Sequence, residues 1–123
     1  MDSGSELQYF LSSKNGIAVI SFTGMLSREG ESVLAQCLTE ITAARPKSVV
    51  IVLRDLSPLI EAKALPGLAR LQKAIRDLPS ELRLCGLHPK LKAILEERGL
   101  LRSAEVANNL LEALQSLAVQ QKE

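Results

Sequence analysis

Asp55-Leu56-Ser57-Pro58-Leu59-Ile60-Glu61-Ala62-Lys63-Ala64-Leu65-Pro66-Gly67-Leu68-Ala69-Arg70-Leu71 is the stretch on which the reading of this chain turns. Just before it stands Val49-Val50-Ile51-Val52-Leu53, an unbroken apolar and β-branched run that suits a central strand covered on both faces. Its second half opens a helical pattern over Pro66–Leu78, with Leu68, Leu71, Ile75 and Leu78 on one stripe. Pro66 suits the first turn of that helix, where a missing N–H costs nothing. From Pro58 to Pro79 there is no Ser, Thr or Tyr, so no hydroxyl is available for phosphorylation.

Working outward, Glu6–Ser12 alternates loosely, and Lys14-Asn15-Gly16 signals a hairpin into Ile17–Phe22. Gly24 is read as the exit from that second strand. Val33, Leu34, Cys37, Leu38 and Ile41 predict an amphipathic helix over Arg28–Ala44, with Ser27 as N-cap and Arg45-Pro46-Lys47 as its end. Ser48–Leu53 is the central strand, and Pro79-Ser80 closes the helix after it. Leu82–Cys85 reads as a strand ended by Gly86, and Pro89–Arg98 as a helix with Leu91, Ile94 and Leu95 inward and Gly99 as its stop. A last helix is expected over Ala104–Leu117, from Val106, Leu110, Leu111, Leu114 and Leu117. The order ββαβαβα plus a final helix predicts an α/β fold, a small mostly parallel sheet opened by an antiparallel hairpin, with about four helices.

Size and composition bound the function. A chain of 123 residues, 46% hydrophobic and 24% charged, reads as one globular domain over 6–118, with a flexible leader 1–5 and a frayed tail 119–123. Aromatics stop at Tyr9, Phe10 and Phe22, which leaves no stacking platform for single-stranded nucleic acid. A net charge of +1 gives no electrostatic case for DNA, RNA or an anionic membrane. Arg83, Lys90 and Lys92 form a loose basic group, read as solvated surface. The polar start is no signal peptide, and Val49–Leu53 is far too short to span a bilayer, so a cytoplasmic location is the expectation.

The chain resembles the STAS domain, the anti-sigma factor antagonist family, over about residues 16–114. In that family a strand ending in Asp-Leu-Ser leads to Asp-Ser-Ser-Gly-Leu-x-x-Leu at a helix start. Asp55-Leu56-Ser57 matches the first part and Gly67, Leu68 and Leu71 the second, whereas Ala64, Leu65 and Pro66 stand where Asp-Ser-Ser would. Gly16-Ile17-Ala18-Val19-Ile20, Gly24-Met25-Leu26, Leu95 with Gly99-Leu100, and Ala113-Leu114 resemble other family positions. The segment from Asp55 to Gly67 is one residue longer than usual.

The resemblance implies a non-catalytic bacterial protein-binding module acting in signal transduction and transcription regulation. Its implied partner is an anti-sigma factor that is also a serine kinase, and a homodimer is compatible with it. The Ser before the Gly is the family's phosphoacceptor; Pro66 takes that position here. Constitutive binding, control through the partner and a new partner all stay open. An accessory subunit of a signalling assembly or a membrane lipid transporter is the alternative use.

The expected partner-binding residues are Asp55, Ser57, Leu59, Glu61, Lys63, Leu65, Pro66, Gly67, Leu68 and Arg70. Asp55 and Ser57 fit either the edge of a docking surface or a turn that bonds its own backbone. Leu59, Ile60, Leu65 and Leu68 either pack inward or form an exposed patch, with Leu65 and Leu68 placed nearest the contact. Glu61 is either a fixed charge in place of phosphate or a solvated loop residue. No cofactor, metal site or catalytic group is expected. His88, the single histidine, reads as a turn or capping residue, Cys37 and Cys85 as buried free thiols, and Gly67 has no companions for a phosphate loop.

Overall fold

A computed structural model describes residues 6–78 and 80–121. The first strands, β1 (Gln8–Lys14) and β2 (Ile17–Leu26), form an antiparallel hairpin. Asn15 and Gly16 both take positive φ, 56° and 82°, as a two-residue primed turn requires. Then follow α1 (Glu31–Ala44), β3 (Ser48–Val52), β4 (Leu56–Ile60), α2 (Leu65–Asp77), β5 (Glu81–Cys85), α3 (Pro89–Glu97), β6 (Val106–Ala107) and α4 (Leu110–Gln121). The sheet runs β1-β2-β3-β5-β6, parallel beyond the opening hairpin, with β4 pairing the far end of β2.

The central strand is buried on both sides, as its unbroken apolar run predicts. Val49 and Ile51 join Ala18, Ile20, Phe22, Leu82 and Leu84 in the main core, which α1, α2 and α3 cover. Val50 and Cys85 face the other way, against Ala113 and Leu117 of α4. Both cysteines are free and buried. Helix α3 ends as expected: Gly99 has a φ of 71°, and Leu100 N–H reaches the Leu95 carbonyl at 2.8 Å.

Several expectations need correction. Gly24 does not end β2 but sits inside it, at φ 90° and at a register irregularity next to β4. A Cβ there would lie 2.1 Å from the Glu6 carbonyl oxygen, so no side chain fits. The segment after Asp55 is not all loop: β4 includes Pro58, tolerated because this short strand pairs only with the end of β2. Helix α4 begins at Leu110, not Ala104; a 3₁₀ turn at Ser103–Glu105 and β6 precede it. Asn109 caps α4, its side-chain oxygen accepting from Glu112 N–H at 2.9 Å. Arg83 is not solvated. It is 6% exposed, donating to Ser116 Oγ at 2.9 Å and the Leu82 carbonyl at 2.9 Å. The leader 1–5, Pro79 at the end of α2, and residues 122–123 of the tail lie outside the described residues.

Candidate docking surface

The segment from Asp55 to Arg70 is positioned by β3 and by the far end of β2. After β3, Leu53 N–H bonds the Cys85 carbonyl at 2.9 Å, and Arg54 and Asp55 make a turn closed by Leu56 N–H on the Leu53 carbonyl. Leu56 then pairs with Gly24 and Ile60 with Leu26, and Glu61 N–H donates to the Leu26 carbonyl at 2.9 Å. A 3₁₀ turn, Ala62–Ala64, feeds directly into α2.

Glu61 ties this segment to the start of α1. Its Oε1 accepts from Arg28 N–H at 2.8 Å. Ser27, expected to cap that end through its side chain, makes no such bond; only its carbonyl accepts, from Gly30 N–H. The carboxylate therefore satisfies an orphan donor of the turn that opens α1.

Helix α2 lies close against α1. A Cβ at Gly67 would come within 3.1 Å of Leu34 Cδ1, and Arg70 Nη2 meets Glu31 Oε2 at 3.3 Å. Leu65 and Leu68, placed nearest the contact in the sequence reading, are instead core residues at 5% and 2% exposure. Their stripe is the one that holds α2 to the sheet and to α1, so they shape the surface from beneath. Leu59 is the apolar side chain that does face out, 65% exposed. Ile60 packs against the core edge.

The remaining expected residues divide between neighbouring depressions. Glu61 and Lys63 border one groove with Arg28 and Glu29. Gly67 and Arg70 border the groove between α1 and α2, with Glu31, Ser32 and Leu38. Pro66 is exposed in the first turn of α2. Asp55 belongs elsewhere: with Arg54, Cys85, Gly86, Asn108 and Asn109 it borders a smaller cleft at the carboxyl ends of β3 and β5. Ser57 Oγ accepts from Leu59 N–H at 3.1 Å, the turn bond its residue type allowed. Arg28, Glu29 and Glu31 were missed by sequence reasoning, because only the tertiary pairing of β4 with β2 brings them here.

The chemistry of the titrating side chains is quiet. Burial raises the Cys37 thiol to about 12 and also raises that of Cys85, so neither is a ready nucleophile. His88 caps α3, Nδ1 accepting from Lys90 N–H at 3.1 Å. Among the described residues no cluster of His, Cys, Asp and Glu is arranged to hold a metal ion. None of their helices is long and apolar enough to cross a membrane.

Comparison with known proteins places this architecture. The STAS domain model matches residues 11–113, whereas no curated protein sequence matches. Among solved structures, a variant of RsbS from Moorella thermoacetica superposes with a TM-score of 0.80 at 20% identity, covering 94% of this chain and 98% of that one. An anti-sigma factor antagonist from Mycobacterium paratuberculosis gives 0.78 at 17% identity, covering 94% and 97%. A sulfate transporter family protein from Wolinella succinogenes also gives 0.78, at 20% identity, covering 91% and 93%. With a family match over residues 11–113 and a fold shared with these structures, the chain belongs to the STAS domain family.

Proposed function

We propose that this STAS domain is a non-catalytic protein-interaction module of the anti-sigma factor antagonist kind. In this reading it acts on transcription by binding a partner, and it binds without a phosphorylation switch. The observation that carries the reading is the surface from Leu59 to Arg70. Leu59, Lys63 and Pro66 are exposed, Lys63 borders a groove with Arg28 and Glu29, and no hydroxyl occurs between Pro58 and Pro79. In a partner-regulated module a phosphate here would add roughly −1.5 to −2 charges beside a helix start. This chain has no acceptor for one. Pro66 keeps the first turn of α2 rigid instead, and Glu61 is already committed to Arg28 N–H.

The partner fitting this reading is an anti-sigma factor of the serine-kinase type. The experiment is capture from native lysate by the tagged domain, with Leu59→Glu and Lys63→Glu as controls that leave the core intact. A kinase-type anti-sigma factor held by the wild type and lost by the controls supports the reading; equal capture by all three places the contact elsewhere. A second reading, an accessory subunit of a membrane transporter, draws on the equally good superposition with the sulfate transporter family protein. Recovery of transporter subunits in the same capture decides for it.

A further inference from the structure

Strand β1 is an open edge. Among the described residues its sole strand partner is β2, and the opposite side of β1 meets no other strand. Proteins ordinarily blunt such an edge with charge, proline, a bulge or brevity. Here the edge runs Gln8-Tyr9-Phe10-Leu11-Ser12-Ser13-Lys14, with one charge, at its end.

The hairpin register fixes which groups the edge presents. The two-residue turn makes Lys14 and Ile17 a hydrogen-bonded pair, so Ser12–Val19, Phe10–Ser21 and Gln8–Thr23 also exchange backbone bonds. The N–H and C=O groups of Tyr9, Leu11 and Ser13 consequently point away from β2, toward the open side. Phe10, 71% exposed, lies on the α4 side of the sheet, continuous with the groove lined by Ser12, Ile17, Val19 and Leu114.

We propose that β1 pairs with β1 of a second copy of this chain, antiparallel and centred on Phe10, making one continuous sheet across a two-fold axis. This register is self-complementary at every step. Tyr9 stands opposite Leu11 as a hydrogen-bonded pair, and by symmetry Leu11 opposite Tyr9, using the outward backbone groups for about four hydrogen bonds. Phe10 meets Phe10 as a non-hydrogen-bonded pair, the kind in which side chains approach most closely. Gln8 faces Ser12 on either side of the phenylalanines. At each end Glu6, at the bend just before β1, comes near Lys14 of the other copy, so that opposite charges approach twice. Gln8, Phe10, Ser12 and Lys14 share one face of β1, and they and Glu6, at the bend just before the strand, are all exposed in the single chain. Centring the pair on Tyr9 or on Leu11 instead loses both the close Phe10–Phe10 pair and the charge match. The pairing uses the open side of β1 and not the segment from Leu59 to Arg70 of the proposed partner contact.

The test is sedimentation of the full chain over a range of concentrations, together with disulfide trapping. Cys37 and Cys85 are buried and give little background. Wild type is expected to form a dimer, and Phe10→Cys to cross-link across the axis under mild oxidation while Ser12→Cys, opposite Gln8, does not. Phe10→Lys is expected to weaken the dimer at least about tenfold, with its thermal midpoint unmoved at concentrations where both proteins are monomeric. Lys14→Glu alone weakens it by setting Glu against Glu6, and combining it with Glu6→Lys restores it. A monomer at every concentration overturns the proposal. So does a dimer that Phe10→Cys fails to trap, or protection of the β1 amides from exchange only when another protein is added.

Discussion

Replacing Leu68 by Ala separates a core role for this residue from a contact role. The side chain is 2% exposed and belongs to the cluster that joins α2 to the sheet and α1. Removing its buried methyl and methylene groups leaves a cavity as well as a lost transfer free energy, together about 2–5 kcal/mol. The gain in helix propensity from Ala offsets only a few tenths of that. Set against a total stability of about 5–15 kcal/mol, this is a large share. For a domain of this size it corresponds to a fall in the thermal midpoint of roughly 8–20 °C. The paired control is Leu59→Ala. At 65% exposure it removes little buried area and is expected to stay within about 0.5 kcal/mol of wild type. The assay is two-state thermal and urea unfolding of both variants, followed by partner capture below the midpoint. Leu68→Ala should lose stability and keep capture; Leu59→Ala should do the reverse. Equal midpoints for the two variants would show that Leu68 is not a core residue.

Other outcomes follow from individual contacts. Ser116→Ala deprives the buried Arg83 Nε of its acceptor and should cost about 1–3 kcal/mol in urea unfolding, more than any exposed Ser in the chain. Glu61→Ala removes the acceptor for Arg28 N–H and should cost about 0.5–2 kcal/mol, with exchange of the Arg28 amide accelerated. The Cys37 thiol is raised from 9.0 to about 12 in the fold, so its contribution is complete below pH 9 and is lost as pH climbs toward 12. The midpoint should accordingly fall above pH 9, less steeply in Cys37→Ala, and a disulfide reagent should label neither cysteine until the protein unfolds. Incubation with ATP and an anti-sigma serine kinase should leave the intact mass unchanged, and a phosphate mapped between Leu59 and Arg70 would contradict the reading.

Much of the fold is legible in the residues, because its strongest signals are local. The β-branched run before Asp55, the Asn15-Gly16 turn, Pro66 in the first turn of α2 and Gly99 after α3 each specify their own conformation. The misreadings are places where a distant partner decides. Ser57-Pro58 looks like a break, but β4 forms because the end of β2, bent at Gly24, is free to receive it. Arg83 reads as surface until Ser116 of α4 is brought over it. The start of α4 was legible in Asn109-Leu110-Leu111-Glu112, a capping signature, yet the apolar spacing running back to Val106 masked it. The candidate site was half legible. The missing hydroxyls are a matter of sequence alone, whereas the burial of Leu65 and Leu68 depends on which side of α2 meets the sheet. An apolar stripe at helical spacing marks a core face first, and of Leu59, Ile60, Leu65 and Leu68 it is Leu59, outside that stripe, that remains exposed.

In the proposed function a protein partner docks on the surface from Leu59 to Arg70. Amide hydrogen exchange of the chain, alone and bound to the captured anti-sigma factor, tests that most directly. Protection confined to the amides of Leu59–Arg70 and the adjoining start of α1 is the predicted result. Unchanged exchange there, with protection appearing instead around the Asp55 cleft and α4, would contradict it.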